Sequence, residues 1–196
     1  MNYLEVFGLP RRLAIDADEL QRRFYALSRQ HHPDFHQGAT AEEQAKALES
    51  SALVNAAYRT LRDPIARIEY LLRLEEGRET AEGTTVKPKA PPELLEEMFE
   101  IQEALQEATA GGLGAAARAT LLAQRERLRQ RYQAEERRLC GTLSQAWDNA
   151  PAGDRQSVLA ALREALATRA YLRTVINDLS VALGEDEGSL VSNRRH

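Results

Sequence analysis

The chain has 196 residues, of which 43% are hydrophobic and 29% are charged, a composition typical of a folded, soluble protein. Its formal net charge of −4 gives no overall positive field, which argues against nucleic acid as a partner. Cys140 is the only cysteine, so an internal disulfide and a CxxC metal knuckle are both excluded. The N-terminal segment has no long apolar h-region, and the sequence has no run of about 18 apolar residues. We therefore expect neither a signal peptide nor a membrane helix, and predict a cytoplasmic protein without membrane contact.

The N-terminal part of the chain predicts two helices joined by a short turn. Residues Tyr3 to Phe7 are expected to form the first, short helix. Asp16 or Asp18 can cap the second helix, which runs to about His31. Its apolar residues recur at i, i+4 and i+7, the spacing of one buried helix face: Leu20, Phe24 and Leu27.

Two further helices are predicted before the composition changes. Thr40 and Glu43 match a capping box, so a third helix begins there and runs to about Arg62. Asp63 can cap a fourth helix whose first residue is Pro64, because proline fits the first turn without losing a helical hydrogen bond. No segment shows the two-residue alternation of a strand, so the predicted fold class is all-α.

The rest of the chain predicts a second domain. Residues 76–91 are rich in glycine, proline and threonine, which indicates a linker. Residues 92–184 contain three amphipathic segments separated by two short turns, the pattern of an antiparallel three-helix bundle. Residues 185–196 are acidic and then basic, and we expect a flexible tail there. The predicted domains are therefore residues 1–75 and 92–184.

The tripeptide His32-Pro33-Asp34 follows the second helix and predicts a rigid, exposed turn. Pro33 cannot continue the helix, and its fixed backbone lowers the entropy lost when a partner binds. Asp34 offers a carboxylate for a partner's arginine, and His32 offers a ring donor and acceptor. These groups favour contact with a partner over catalysis.

Basic residues line the helix that precedes this turn. Arg22 and Arg29 are seven residues apart and therefore share one helix face, and Arg23 lies near it. This strip can steer an acidic partner although the whole chain is acidic. The alternative interpretation of the strip is an ordinary solvated face.

A second candidate surface lies on the first helix of the predicted bundle. Leu95 and Phe99 are four residues apart and fall about 100° or more from the core-facing stripe. Residues 93–107 contain six glutamates and no lysine or arginine. An apolar pair surrounded by acidic side chains predicts a protein-binding surface, with packing in the core or between domains as the alternative.

Residues 1–74 resemble the J domain of DnaJ-type co-chaperones in three segments, which occur in the family's order and spacing: YLEVFGLP, FYALSRQHHPD and VNAAYRTLRDP. The resemblance implies a helical hairpin flanked by short helices. Its loop and second helix would contact a DnaK-type 70-kDa chaperone and stimulate ATP hydrolysis by that chaperone. The implied chaperone-binding residues are His32, Pro33, Asp34, Arg22, Arg23 and Arg29. Phe35 departs from the family, which often has lysine there.

The complete layout resembles HscB, a J-domain co-chaperone family of iron–sulfur cluster assembly. A fourth helix, ARIEYLLRL, is followed by a linker and a three-helix bundle. The resemblance implies that the bundle binds the scaffold protein on which clusters are built. The implied scaffold-binding residues are Leu95, Phe99, Glu100, Glu103 and Tyr171. Glu96 stands where the family usually has an apolar residue.

The sequence therefore predicts a co-chaperone that activates a DnaK/HscA-type 70-kDa chaperone and delivers the iron–sulfur scaffold protein to it. It predicts no enzymatic activity, no cofactor and no resident metal in this chain. One alternative is a J-domain co-chaperone for a different client, and another is a helical interaction module outside chaperone function. A third is an enzyme or metal protein built on three clustered histidines: His31, His32 and His36.

Overall fold

The computed structural model of the chain describes residues 2–36, 38–77, 99–101, 103, 106, 114–151 and 153–184. Every regular element in these ranges is helical, which confirms the predicted all-α class. The elements are α1 (Tyr3–Val6), α2 (Ala17–Gln30), a 3-10 turn (Pro33–His36), α3 (Ala41–Arg62), α4 (Pro64–Glu75), α5 (Ala115–Arg138), a π turn (Leu139–Leu143), α6 (Ser144–Asn149) and α7 (Arg155–Ala182). Most of the predicted linker and all of the predicted tail lie outside the described residues.

The starts of α2, α3 and α4 are fixed by the caps that the sequence predicts. The Asp16 carboxylate accepts hydrogen bonds from two first-turn N–H groups of α2, at 2.9 and 3.0 Å. Thr40 and Glu43 form the reciprocal capping box at α3. The Asp63 carboxylate caps α4, whose first residue is Pro64. Each cap satisfies donors that a helix start leaves unpaired, so the caps determine where the loop before each of these helices ends.

The chain divides into two compact units. The first unit comprises Met1–Ala81 and Leu139–Leu162, and the second comprises Glu82–Arg138 and Arg163–His196. The first unit has a core between α1, α2, α3 and α4, in which Phe24 stacks on Tyr58 with ring centroids 4.0 Å apart. Its buried residues are Leu4, Phe7, Leu20, Val54, Ala57, Leu61 and Tyr70.

Residues from the C-terminal half of the chain complete the first unit. The Asp148 carboxylate accepts hydrogen bonds from the backbone N–H groups of Leu13, at 2.7 Å, and Ala14, at 2.8 Å. The indole of Trp147 is fully buried and donates a hydrogen bond to the Arg11 carbonyl at 3.3 Å. Together these hydrogen bonds fix the backbone between α1 and α2, up to the residue that lies two positions before the cap Asp16.

The second unit contains a separate core along α5 and α7. Its buried residues are Ile101, Leu121, Leu128, Leu172, Val175, Ile176, Leu179 and Leu183. Beside this core, the buried guanidinium of Arg169 donates hydrogen bonds to Glu136, at 2.7 and 3.0 Å, and to the Tyr132 hydroxyl, at 2.6 Å. Burial of an arginine is tolerated here because its donors find acceptors.

The predicted long second helix of the bundle contains an unpredicted irregularity. After α5 the backbone passes through the π turn and continues into α6. The Ser144 hydroxyl donates a hydrogen bond to the Leu139 carbonyl at 2.6 Å. An extra residue within a helix rotates all later residues about the helix axis. The hydrophobic repeat of α5 therefore does not predict which residues after the π turn are buried.

Candidate functional site

Residues 32–35, which we call the corner, lie between α2 and α3 with their polar side chains in solvent. The side chain of His32 is 53% exposed and that of Asp34 is 72% exposed. The Phe35 N–H donates a hydrogen bond to the His32 carbonyl at 3.0 Å and closes the turn. The structure thus agrees with the expected exposed turn and with the end of α2 before Pro33.

The ring of His32 is oriented by the backbone of the corner. Its Nδ1 accepts a hydrogen bond from the Asp34 N–H at 3.3 Å. Accepting this hydrogen bond favours the tautomer that carries its proton on Nε2. Nδ1 is also 3.6 Å from the Asp34 carboxylate. In that tautomer the Nε2–H is available to a partner, and the Asp34 carboxylate is exposed.

The three predicted arginines of α2 occupy different environments. Arg22 is exposed and forms an ion pair with Glu19 at 2.6 Å. Arg23 is half-buried, binds the same carboxylate at 2.7 Å, and donates hydrogen bonds to the carbonyls of Phe7 and Gly8. These hydrogen bonds tie α2 to the end of α1, a role that sequence analysis missed. The two arginines also hold the pKa of Glu19 below its usual value, chiefly through their hydrogen bonds.

Arg29 is the predicted cation nearest to the corner. It lies exposed one residue before the end of α2 and forms no ion pair within the part of the chain that the structure describes. Arg22 and Arg29 thus present their side chains to solvent on one face of α2, as expected from their spacing. Arg23 contributes to the internal packing of the first unit as well as to its charge.

Sequence analysis missed one exposed residue on this face. Tyr25 is 61% exposed. Tyr25 does not belong to the apolar face of α2, and it lies three residues after Arg22 and four before Arg29. The helical repeat therefore predicts that its side chain is exposed.

The second candidate surface is described in part. Phe99 is 71% exposed, Glu100 and Glu103 are exposed, and Ile101 is buried in the core of the second unit. In a helix, two residues correspond to a rotation of about 200°, so burial of Ile101 directs Phe99 toward solvent. Phe99 and Glu103 are one turn apart and share that outer face. Leu95 lies outside the described residues.

Tyr171, the remaining predicted scaffold contact, belongs to α7. It is half-buried and packs against the core cluster that contains Ile101. Burial raises the pKa of its phenol. Tyr171 and the helix that carries Phe99 therefore join the same hydrophobic cluster, from two different segments of the second unit.

The described part of the chain offers neither a clustered metal-ligand set nor a membrane-spanning helix. Within it, no group of three or more histidine, cysteine, aspartate or glutamate side chains could hold a metal ion. Of the helices described, none is long and apolar enough to cross a membrane.

Comparison with known proteins agrees with this geometry. The sequence model of the DnaJ domain family matches residues 2–70. The structure is similar to that of the chaperone HscB from Vibrio cholerae, with a TM-score of 0.57 and 28% sequence identity, covering 92% of this chain and 96% of that one. It is also similar to the human co-chaperone protein HscB, with a TM-score of 0.60 and 25% identity, covering 92% of this chain and 81% of the human one.

The helical hairpin with its exposed corner is therefore a J domain. The matches to HscB extend well beyond this domain, into the helices that follow it. The chain thus contains a J domain, and its structure is similar to that of the two HscB proteins along most of its length.

Proposed function

We propose that this protein is a co-chaperone that stimulates the ATPase of a DnaK/HscA-type 70-kDa chaperone and delivers an iron–sulfur scaffold protein to it. The observation that carries the proposal is the solvent-exposed corner with His32 and Asp34, in a chain whose structure is similar to that of HscB. The ATPase activity belongs to the chaperone, and this chain needs no cofactor for its part.

The corner has the chemistry that a protein contact of this kind requires. The Asp34 carboxylate can accept a bidentate pair of hydrogen bonds from an arginine of the chaperone. The Nε2–H of His32 can donate a hydrogen bond beside that pair. Because the backbone hydrogen bonds of the corner exist before binding, little conformational entropy is lost when the chaperone docks. Arg22 and Arg29 would accelerate the encounter with an acidic face of the chaperone.

The proposed client surface lies in the second unit. Phe99 with Glu100 and Glu103 presents an apolar side chain surrounded by acid, which suits a partner with a basic rim around an apolar depression. Leu95 and Tyr171 complete the proposed set of contacts. A J-domain co-chaperone with another client is the second candidate, because the same exposed surface would serve any partner of that chemistry. The cytoplasmic location stays a prediction.

A coupled ATPase assay tests both parts of the proposal. The full chain is added to a DnaK/HscA-type chaperone with and without a purified iron–sulfur scaffold protein. We expect stimulation by the chain alone and a further increase with scaffold. His32→Gln should abolish both effects, whereas Phe99→Ala should remove only the scaffold-dependent increase. Absence of any stimulation by the wild-type chain would overturn the co-chaperone proposal, and stimulation without a scaffold effect would overturn the client assignment.

A further inference from the structure

Two large aromatic side chains are exposed around the proposed chaperone-binding residues. Phe35 is 70% exposed and Tyr25 is 61% exposed, and both belong to the first unit. Aromatic side chains bury a large area when a partner covers them, and they are enriched among the residues that dominate protein–protein affinity. Phe35 lies within the corner and Tyr25 lies beside the arginines of α2, so a partner that binds these groups would also cover both rings.

Phe35 is held outward by the geometry of the corner. It follows Asp34 directly in the 3-10 turn, and its N–H is bound to the His32 carbonyl at 3.0 Å. Its ring meets the His32 ring edge-on, with centroids 6.1 Å apart and planes at 73°. The two exposed rings are therefore in contact, and a partner that binds the imidazole would also contact the Phe35 ring.

Tyr25 shares a face of α2 with the exposed arginines. Arg22, Tyr25 and Arg29 follow the spacing i, i+3 and i+7, which aligns their side chains along the helix. The neighbouring Phe24 turns inward and stacks on Tyr58, so the inner position on this turn is already filled. The Tyr25 hydroxyl accepts a hydrogen bond from the Gln21 amide at 3.3 Å, which restricts the ring on the surface.

We propose that Tyr25 and Phe35 are apolar anchors for the 70-kDa chaperone, one on the basic face of α2 and one within the corner. The proposal rests on the proposed function and deepens it. The complementary chaperone surface would carry acidic groups for Arg22 and Arg29, with an apolar depression for each aromatic ring. Rigid aromatic rings contribute contact area at low entropic cost, whereas the arginines contribute chiefly to the encounter rate and to its salt dependence.

The test separates apolar anchoring from electrostatic steering. Binding of the full chain to a DnaK/HscA-type chaperone and the concentration for half-maximal ATPase stimulation are measured at several salt concentrations. For Tyr25→Ser and Phe35→Ser, we expect each dissociation constant to rise about tenfold, with the salt dependence unchanged. Tyr25→Phe and Phe35→Leu should bind nearly as tightly as the wild type. Arg29→Gln should instead reduce the salt dependence.

Val181→Ser is the matched control, because Val181 is similarly exposed (59%) but belongs to the second unit and to neither proposed binding surface. Without scaffold protein, this variant should bind the chaperone like the wild type. The inference is overturned if the wild type stimulates the chaperone and both serine variants bind within twofold of it, or if Val181→Ser loses as much affinity as they do. If the wild type itself does not stimulate, the proposed function fails and this inference fails with it.

Discussion

The two units of the protein are stabilised in different places. In the first unit, polar side chains act at the ends of helices: Asp16, Thr40 and Asp63 cap helix starts, and Arg23 binds the carbonyls that directly follow α1. In the second unit, the stabilising contacts lie along the sides of long helices, including the buried Arg169 between α7 and α5. A unit whose helix ends are fixed has loops of defined shape, which is what a preformed corner between α2 and α3 requires.

The largest expected effect comes from Trp147, which is remote in sequence from the J domain but belongs to its unit. Trp147→Ala removes a fully buried side chain and its bond to Arg11, so the free energy of unfolding of the first unit should fall by about 3–5 kcal/mol. Hydrogen exchange should accelerate in residues 2–77 as well as around the mutation. Unchanged exchange in residues 2–77 would contradict the division into units. Phe99→Ala, at an exposed position, should cost less than about 0.5 kcal/mol.

In the second unit, Arg169 is a buried polar residue whose loss should destabilise the core. Arg169→Met leaves the acceptors on Glu136 and Tyr132 without their buried donor. We expect a loss of about 2–3 kcal/mol, below the value for a fully buried pair because Glu136 retains some contact with solvent. Adding Glu136→Leu should restore part of the loss. Faster exchange in residues 163–182 of α7, which belong to the second unit, with α3 and α4 unchanged, is the expected pattern. Equal acceleration in both units would refute it.

A helix cap supplies a smaller effect that is specific to the first unit. Asp63→Ala removes the acceptor for two N–H groups at the start of α4, so we expect a loss of about 1 kcal/mol. Asp63→Asn should retain most of the stability because the amide oxygen still accepts. Denaturant unfolding of both variants measures the difference. Equal losses for alanine and asparagine would indicate that the cap hydrogen bonds do not stabilise this helix start.

The smallest expected effect concerns the alkaline stability of the first unit. Burial raises the pKa of the Tyr70 phenol above its ordinary value of 10.0. As the pH rises past 10.0, the Tyr70 phenol loses its proton in the unfolded chain before it does so in the folded protein. The free energy of unfolding therefore falls with pH until the pKa of the folded state is passed. Tyr70→Phe removes this contribution to the decline, although it also loses the bond from the Tyr3 N–H, which is 2.8 Å long. The wild type and the variant should therefore converge in stability above pH 10, and parallel pH curves would exclude a raised pKa.

Sequence analysis predicted the features that depend on neighbouring residues. The caps at Asp16, Thr40 and Asp63 are local patterns, and the exposure of the corner follows from a proline that ends α2. It did not predict contacts between distant residues. The Asp148 carboxylate accepts hydrogen bonds from the backbone N–H groups of Leu13 and Ala14. The hydrophobic repeat of a single helix cannot predict this pairing, because it contains no information on residues so far away in the sequence.

In the candidate site, the exposed positions could be predicted from local sequence, but one contact between helices could not. The positions of His32, Asp34, Arg22 and Arg29 on the surface follow from the turn and the helical repeat. The bond of Arg23 to α1 was not predictable from spacing, because it depends on how α1 packs against α2. The exposure of Phe99 could be predicted because Ile101, two residues later, lies on the core stripe.

The proposed activation of a 70-kDa chaperone by the corner is measured directly as single-turnover ATP hydrolysis by that chaperone, with saturating wild-type chain or Asp34→Asn. The substitution keeps the shape of the exposed side chain and removes only its charge, so the fold should be unchanged by circular dichroism. We predict that the wild type accelerates hydrolysis and that Asp34→Asn gives the rate of the chaperone alone. Equal acceleration by the two proteins would contradict the account.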